Sequence, residues 1–184
     1  MLDTLAKLAA LMLGAALSTG CVETGGEPME TVPYVDLDRF MGDWYVVANI
    51  PTPLEQGAHN PLESYALSPD GTVATTFTFN KGSFDGPKKT YRPKGFVLDK
   101  ETNARWGMQF VWPVKADYRI IYLDEAYEHT VIGRAKRDYV WVMARSPTLD
   151  DKKLAEIEAF LDSVGYDIAK LERPPHRSPS AESG

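Results

Sequence analysis

The feature that most constrains this chain is a two-residue alternation that returns along most of its length. In "TVATTFTFN", Val73, Thr75, Phe77 and Phe79 fall on one side and Ala74, Thr76 and Thr78 on the other. Successive side chains of an extended strand point to opposite faces, and β-branched and aromatic residues favour that conformation. Comparable stretches run from Trp44 to Ile50, Leu62 to Leu67, Lys94 to Leu98, Arg105 to Val111, Tyr118 to Leu123, Thr130 to Arg134 and Tyr139 to Arg145, predicting eight strands in all. "SPDG" at Ser68, "KGSFDGP" at Lys81, "DKETN" at Asp99 and "KRD" at Lys136 separate them with turn chemistry. Such short connections favour an antiparallel meander, because parallel pairs need long crossovers. Closing the sheet removes its edges, and eight strands close around room for one small ligand. The expected fold is therefore all-β, an eight-stranded antiparallel up-and-down barrel.

One stretch has a different period. In "TLDDKKLAEIEAFLDSVG", Leu154, Ile157, Phe160, Leu161 and Val164 recur at three- and four-residue steps, which predicts a C-terminal helix. Thr148 is the expected N-cap and Gly165 the expected terminator. The apolar stripe needs a partner, and the outside of the barrel offers one. A short final strand is expected from Tyr166 to Glu172.

The ends read differently. An apolar run from Leu8 to Leu17 is too short to span a bilayer but suits a signal peptide, and Cys21, the single cysteine, follows it. One cysteine allows neither an internal disulfide nor a paired-cysteine metal site. Residues Leu17, Ser18, Thr19 and Gly20 resemble a bacterial lipobox, although Ser18 stands where Leu, Val or Ile is usual. The resemblance implies lipidation of Cys21 and a membrane anchor, and Val22 after it favours the outer membrane, facing the periplasm. The expected layout is a signal peptide over residues 1–20, a lipidated amino terminus and flexible linker over 21–33, the barrel over 34–173 and a disordered tail over 174–184. With 20 basic against 26 acidic residues, a net charge of -6, the chain lacks the basic footprint of a nucleic-acid binder.

Three stretches resemble the lipocalins, and within them the bacterial, apolipoprotein D-like lipoproteins. "RFMGDWYVVANIP" matches their Gly-x-Trp signature through Gly42 and Trp44, "YLDEAYEHTVIG" their second region loosely, and "YVWVMARSPTL" their third, in which Arg145 lies against the signature tryptophan. The resemblance spans about Val35 to Glu172. It implies that Gly42, Trp44 and Arg145 close one end of the barrel and that the other end is an open cup.

Alternation assigns an inward apolar set: Val73, Thr75, Phe77 and Phe79 in one strand, Trp106, Met108 and Phe110 in another. Tyr65 sits where related lipocalins place an aromatic ligand contact, and Val97, Tyr139 and Met143 are further candidates. In "DYRIIYLD", Arg119, Ile121 and Leu123 share one face and Tyr118, Ile120 and Tyr122 the other. The family pattern puts the Arg119 face inside, where a guanidinium would hold a carboxylate or phosphate head; the opposite choice makes Arg119 an ordinary solvated side chain.

No serine elbow, phosphate loop or H-E-x-x-H run is present, and His59, His129 and His176 have no evident catalytic company. No cofactor or metal is implied. The family resemblance implies storage or transport of a hydrophobic ligand, most simply a fatty acid or lysophospholipid. A lipocalin-fold enzyme acting on a lipid-like substrate is the alternative, a barrel with a filled interior that binds a protein partner is a third reading, and homodimerisation stays open.

Overall fold

The computed structural model describes residues 28–177. The expected signal peptide, Cys21 and the end of the tail lie outside them. Nine strands follow in order: β1 (Gly42–Ile50), β2 (Ala58–Leu67), β3 (Thr72–Lys81), β4 (Lys88–Tyr91), β5 (Lys94–Val97), β6 (Arg105–Val111), β7 (Val114–Leu123), β8 (His129–Gly133) and β9 (Val140–Ala144). They form one antiparallel sheet in the order β2-β1-β9-β8-β7-β6-β5-β3-β4, and β2 also pairs with β3, which closes the barrel.

The ninth strand does not change the count of wall positions. β4 and β5 both pair with β3 in one continuous register, Tyr91 opposite Phe77 and Lys94 opposite Ala74, so they are a single strand broken at Arg92 and Pro93. Proline has no N–H for the ladder and interrupts the strand there. "KKTY" is absent from the expected strands because three of its four residues are exposed and carry no apolar alternation.

The sheet separates two apolar cores. Inside the barrel are Phe40, Trp44, Val46, Tyr65, Val73, Phe77, Phe79, Trp106, Tyr118 and Ile132, among others. Outside, Val131, Val140, Val142 and Ala144 pack against α2 (Asp151–Ser163), which buries Leu154, Ile157 and Leu161. The strands that carry α2 are thus apolar on both faces. Asp150, not Thr148, caps the helix by accepting from the Lys153 N–H at 2.9 Å. Its carboxylate also meets the positive end of the helix dipole, which a threonine cannot match. Gly165, at φ +87°, follows the last turn as expected. After it comes a 3-10 turn, Ile168–Lys170, with a single bridge from Glu172 to Asn49, in place of the expected strand.

The closed end is built from a short helix and one arginine. α1 (Leu37–Phe40) crosses the base, and the Trp44 indole donates to the Phe40 carbonyl at 2.8 Å. The Arg145 guanidinium lies 3.8 Å from the centre of the Trp44 ring. Its nitrogens donate to five carbonyls: Asp43 at 2.7 Å, Arg39 and Met41 at 2.9 Å, Phe40 at 3.2 Å and Tyr127 at 3.3 Å. Gly42 makes the turn into β1 at φ +93°, and a Cβ there would come 3.4 Å from Arg145 Nη1.

Both described ends lie against the barrel. Val32 N–H donates to Ile120, and Met29 is buried, so the last residues of the expected linker are a strap on the wall. Pro175 accepts from Asn60 N–H, and His176 bonds the Val46 carbonyl, so the start of the expected disordered tail is also held. Replacing Arg145 with alanine removes the guanidinium from Trp44 and strands carbonyls at the base. Thermal or urea unfolding of Arg145→Ala should show a loss of about 2–4 kcal/mol, with little change in ligand affinity.

Candidate functional site

The half of the barrel above Trp44 is solid. Trp106 stacks on Tyr118 with ring centres 5.4 Å apart, and Phe40 and Tyr65 meet Trp106 edge-on at 5.6 and 5.9 Å. The Tyr65 and Tyr118 hydroxyls share a hydrogen bond of 2.6 Å, which gives each a partner in a dry setting. This aromatic layer is the floor of a cavity of about 300 Å³ in the other half, open between the β1–β2, β6–β7 and β8–β9 loops.

Of the residues expected at a ligand, Phe77, Met108, Phe110 and Tyr139 line this cavity. Phe79 is interior but covered by Phe77 and Tyr91, with ring centres at 5.3 and 6.2 Å. Tyr65, Val97, Trp106 and Met143 are buried in the interior core without facing the cavity. The wall also carries Tyr91, Ala116, Tyr118 and Trp141, which the expected set lacked. Trp141 shares its face with Tyr139 and Met143 by simple alternation, so that signal was present in "YVWVM".

Arg119 and Ile121 require a correction. Tyr118 and Ile120 point inward, whereas Ile121 packs outside with the residues under α2. Arg119 lies on the outer wall, where Nε donates to both Asp117 oxygens at 3.0 Å and Nη1 to the Met29 carbonyl at 3.1 Å. The cause is a bulge in β7. Ile120 pairs with Ile132 but Tyr122 with Val131, so one extra residue stands between. Leu123 therefore returns to the interior core while Arg119 and Ile121 do not. A bulge breaks the two-residue period, and no local residue type marks it.

The cavity also holds two carboxyl groups. Glu55, in the β1–β2 loop, accepts from the Thr52 N–H at 3.0 Å and from the Trp141 indole at 3.2 Å. Burial raises its pKa, and those hydrogen bonds offset part of the rise. Glu63 is less well served. It stands in β2 between Trp44 and Phe77 on the adjoining strands, and its Oε2 is buried with no hydrogen-bond partner. Loss of solvent, with Glu55 nearby, pushes its pKa up to about 8. Sequence reasoning missed Glu63, although "LESYA" gives it the same parity as Tyr65.

The histidines are in structural roles. His129 Nδ1 is 2.6 Å from Asp124 Oδ2 near the closed end, and His59 bonds the Gly57 carbonyl. A larger groove, about 1090 Å³, runs over the outer surface between residues 28–33 and the end of α2 and does not enter the barrel.

Residues 35–176 match the lipocalin-like domain family. This chain is a lipocalin. Temperature-induced lipocalin-1 of Arabidopsis thaliana is 27% identical over 87% of this chain and 89% of its own length. Outer membrane lipoprotein Blc of Escherichia coli (strain K12) is 28% identical over 91% and 94%. Among solved structures, insecticyanin from the tobacco hornworm Manduca sexta superposes with a TM-score of 0.64 at 15% identity, covering 83% of this chain and 86% of that one. The family is one of proteins that generally bind small hydrophobic molecules, in keeping with the half-hollow barrel of this lipocalin.

Glu63 makes stability depend on pH with a defined sign. The folded protein keeps a proton that the unfolded chain releases above about 4.5, so stability falls as pH rises from there to about 8. Melting temperatures across this range should decline for the wild type, and Glu63→Gln should flatten the decline and melt higher at pH 8.

Proposed function

We propose that this lipocalin holds one single-chain, lipid-like molecule in its barrel cavity, at the periplasmic face of a bacterial outer membrane to which an acylated Cys21 ties it. The observation that carries the reading is the apolar cup itself, about 300 Å³, open at one end and floored by packed aromatics. That volume lies at the low end of the range for small-molecule sites and suits one hydrocarbon chain rather than two. Burying the chain contributes about 25 cal/mol per Å² of apolar surface. Fatty acids and lysophospholipids both have the required shape.

The rim supports loading from a bilayer. Leu54, Phe110, Val111, Trp112 and Val114 are large apolar side chains exposed at the tips of the β1–β2 and β6–β7 loops. A chain passing between them avoids much of its contact with water. The address is supported by the name of the Escherichia coli relative, an outer membrane lipoprotein, and by the order of apolar run, Gly20 and Cys21 in this sequence. No helix among the described residues is long and apolar enough to cross a membrane.

Two measurements test this reading. Ala116→Trp fills the cavity from β7 and should weaken uptake of the neutral fluorescent probe N-phenyl-1-naphthylamine by about tenfold or more, about 1.4 kcal/mol, without lowering the melting temperature. Equal uptake by the variant would remove the cavity from consideration. Cys21→Ser should move the protein from the membrane to the soluble fraction of its cells, and persistence on the membrane would overturn the anchor. Steady turnover of a lysophospholipid by the purified protein, followed by mass spectrometry, would favour the enzyme alternative.

A further inference from the structure

Glu63 occupies a position where a leucine would be more favourable. It is 9% exposed, its strand neighbours at the same level are Trp44 and Phe77, and Oε2 has no partner. An orphaned buried polar group costs the folded state its lost hydration. A hydrocarbon tail laid against it leaves that cost in place, whereas a hydrogen-bond donor on the ligand removes it.

The charge around the cavity narrows the kind of donor. The titratable side chains that face the same space are Glu55 from the β1–β2 loop, Tyr91 from β4, Tyr118 from β7, and Arg134 and Tyr139 from the β8–β9 loop, while Asp117 borders it with its carboxylate turned to the outer wall. Arg134 is the cation among them, and its charge is offset within the β8–β9 loop: Nη1 meets Asp138 at 3.3 Å, with the guanidinium over the Tyr139 ring, while its buried Nε has no partner. Asp117 is held by Arg119 and by the Ala135 N–H. The hydroxyls of Tyr118 and Tyr65 are bonded to each other, one donating and the other accepting. What faces an incoming ligand near the floor is the carboxyl of Glu63, with that of Glu55 close enough to act on it.

We propose that the ligand of this cavity is a single-chain amphiphile whose leading end is a protonated amine, seated on Glu63 with its hydrocarbon running past Phe77 and Met108 to the mouth. The proposal rests on the cavity reading above and narrows it. An ammonium supplies Oε2 with the N–H donor it lacks, and its charge offsets the field of Glu55. A fatty acid fits less well. Head-first, its carboxylate can accept the proton that Glu63 carries but adds a negative charge beside Glu55 that nothing at the floor offsets; tail-first, it leaves Oε2 orphaned. Protonated Glu63 and an alkylammonium enter the complex, an ion pair remains, and one proton leaves to solvent.

Displacement of N-phenyl-1-naphthylamine from the full chain at pH 7 by dodecylamine, dodecan-1-ol and dodecanoate tests the proposal. Dodecylamine should displace the probe at a concentration about tenfold below that needed for dodecanoate, with dodecan-1-ol between them. Calorimetry in two buffers of different ionisation heat should find about one proton released per amine bound and none for the alcohol. In Glu63→Leu the amine should fall to the level of the alcohol; if that variant does not fold, Glu63→Gln gives the same comparison. Dodecanoate equal to or better than dodecylamine on the wild type, or an amine advantage that survives in the Glu63 variants, would overturn the proposal while the cavity reading stands. A wild-type protein that takes up no probe at all overturns the cavity reading, and the amine with it.

Discussion

The contact of Arg145 with Trp44 divides this barrel into a solid half and a hollow one. A closed sheet of eight positions has two ends, and water entering at both would wet any interior. Here the indole fills the base, the guanidinium covers it at 3.8 Å, and its nitrogens hold the carbonyls of α1 and the β7–β8 loop in one cluster. Each of those carbonyls comes from a segment with little regular structure of its own. A single planar cation with five donors can gather them, and a lysine cannot. Gly42 belongs to the same device, since its positive φ lets the chain turn under the guanidinium. The aromatic floor above Trp44 depends on this base for a fixed platform, and the cavity depends on the floor.

Much of the fold was legible because strand alternation is a strong local signal and the closed barrel follows from it. The resemblance, which spans about Val35 to Glu172, is also borne out by the match to the lipocalin-like family over residues 35–176. What was hidden had physical causes of two kinds. The KKTY segment of β4 pairs through its backbone to β3 while its side chains are largely exposed, so hydrophobicity carries no trace of it. The bulge at Ile121 shifts the face of everything before it relative to Leu123, and it is set by the pairing of β7 with β8, which no local pattern records. Of the two choices open for Arg119, the bulge is why the outer one holds. Strands β8 and β9, covered by α2 outside and packed inside, are apolar on both faces, so their β-branched runs between turns marked them as strands without contrasting one face with the other.

The interior also differs in kind from the expected one. Apolar residues were sought there, and several were found packed into the floor rather than facing the space above it. The polar residues of the cavity were overlooked, although the same parity that put Tyr65 inside puts Glu63 inside as well. In a strand that closes a barrel, the exceptional inward residue is a carboxyl, and exceptions carry more information than the pattern they interrupt.

A buried carboxyl without a partner has few structural uses. A capping role needs a helix terminus, and Glu63 lies in the middle of a strand; an ion pair needs a cation, and Arg134, the cation on the cavity wall, is bound to Asp138. Glu55 shows what a structural buried glutamate looks like in this protein, its oxygens taken by Thr52 and Trp141. Glu63 Oε2 faces hydrocarbon and ligand space instead, at a cost to the folded state that any apolar residue of similar volume would avoid. A free energy left unspent in the empty protein and recovered on binding acts directly on selectivity, because only a ligand with a polar head at that depth recovers it. Apolar area alone would make this cup indifferent among single-chain lipids; one orphaned oxygen at its floor is sufficient to rank them by their heads.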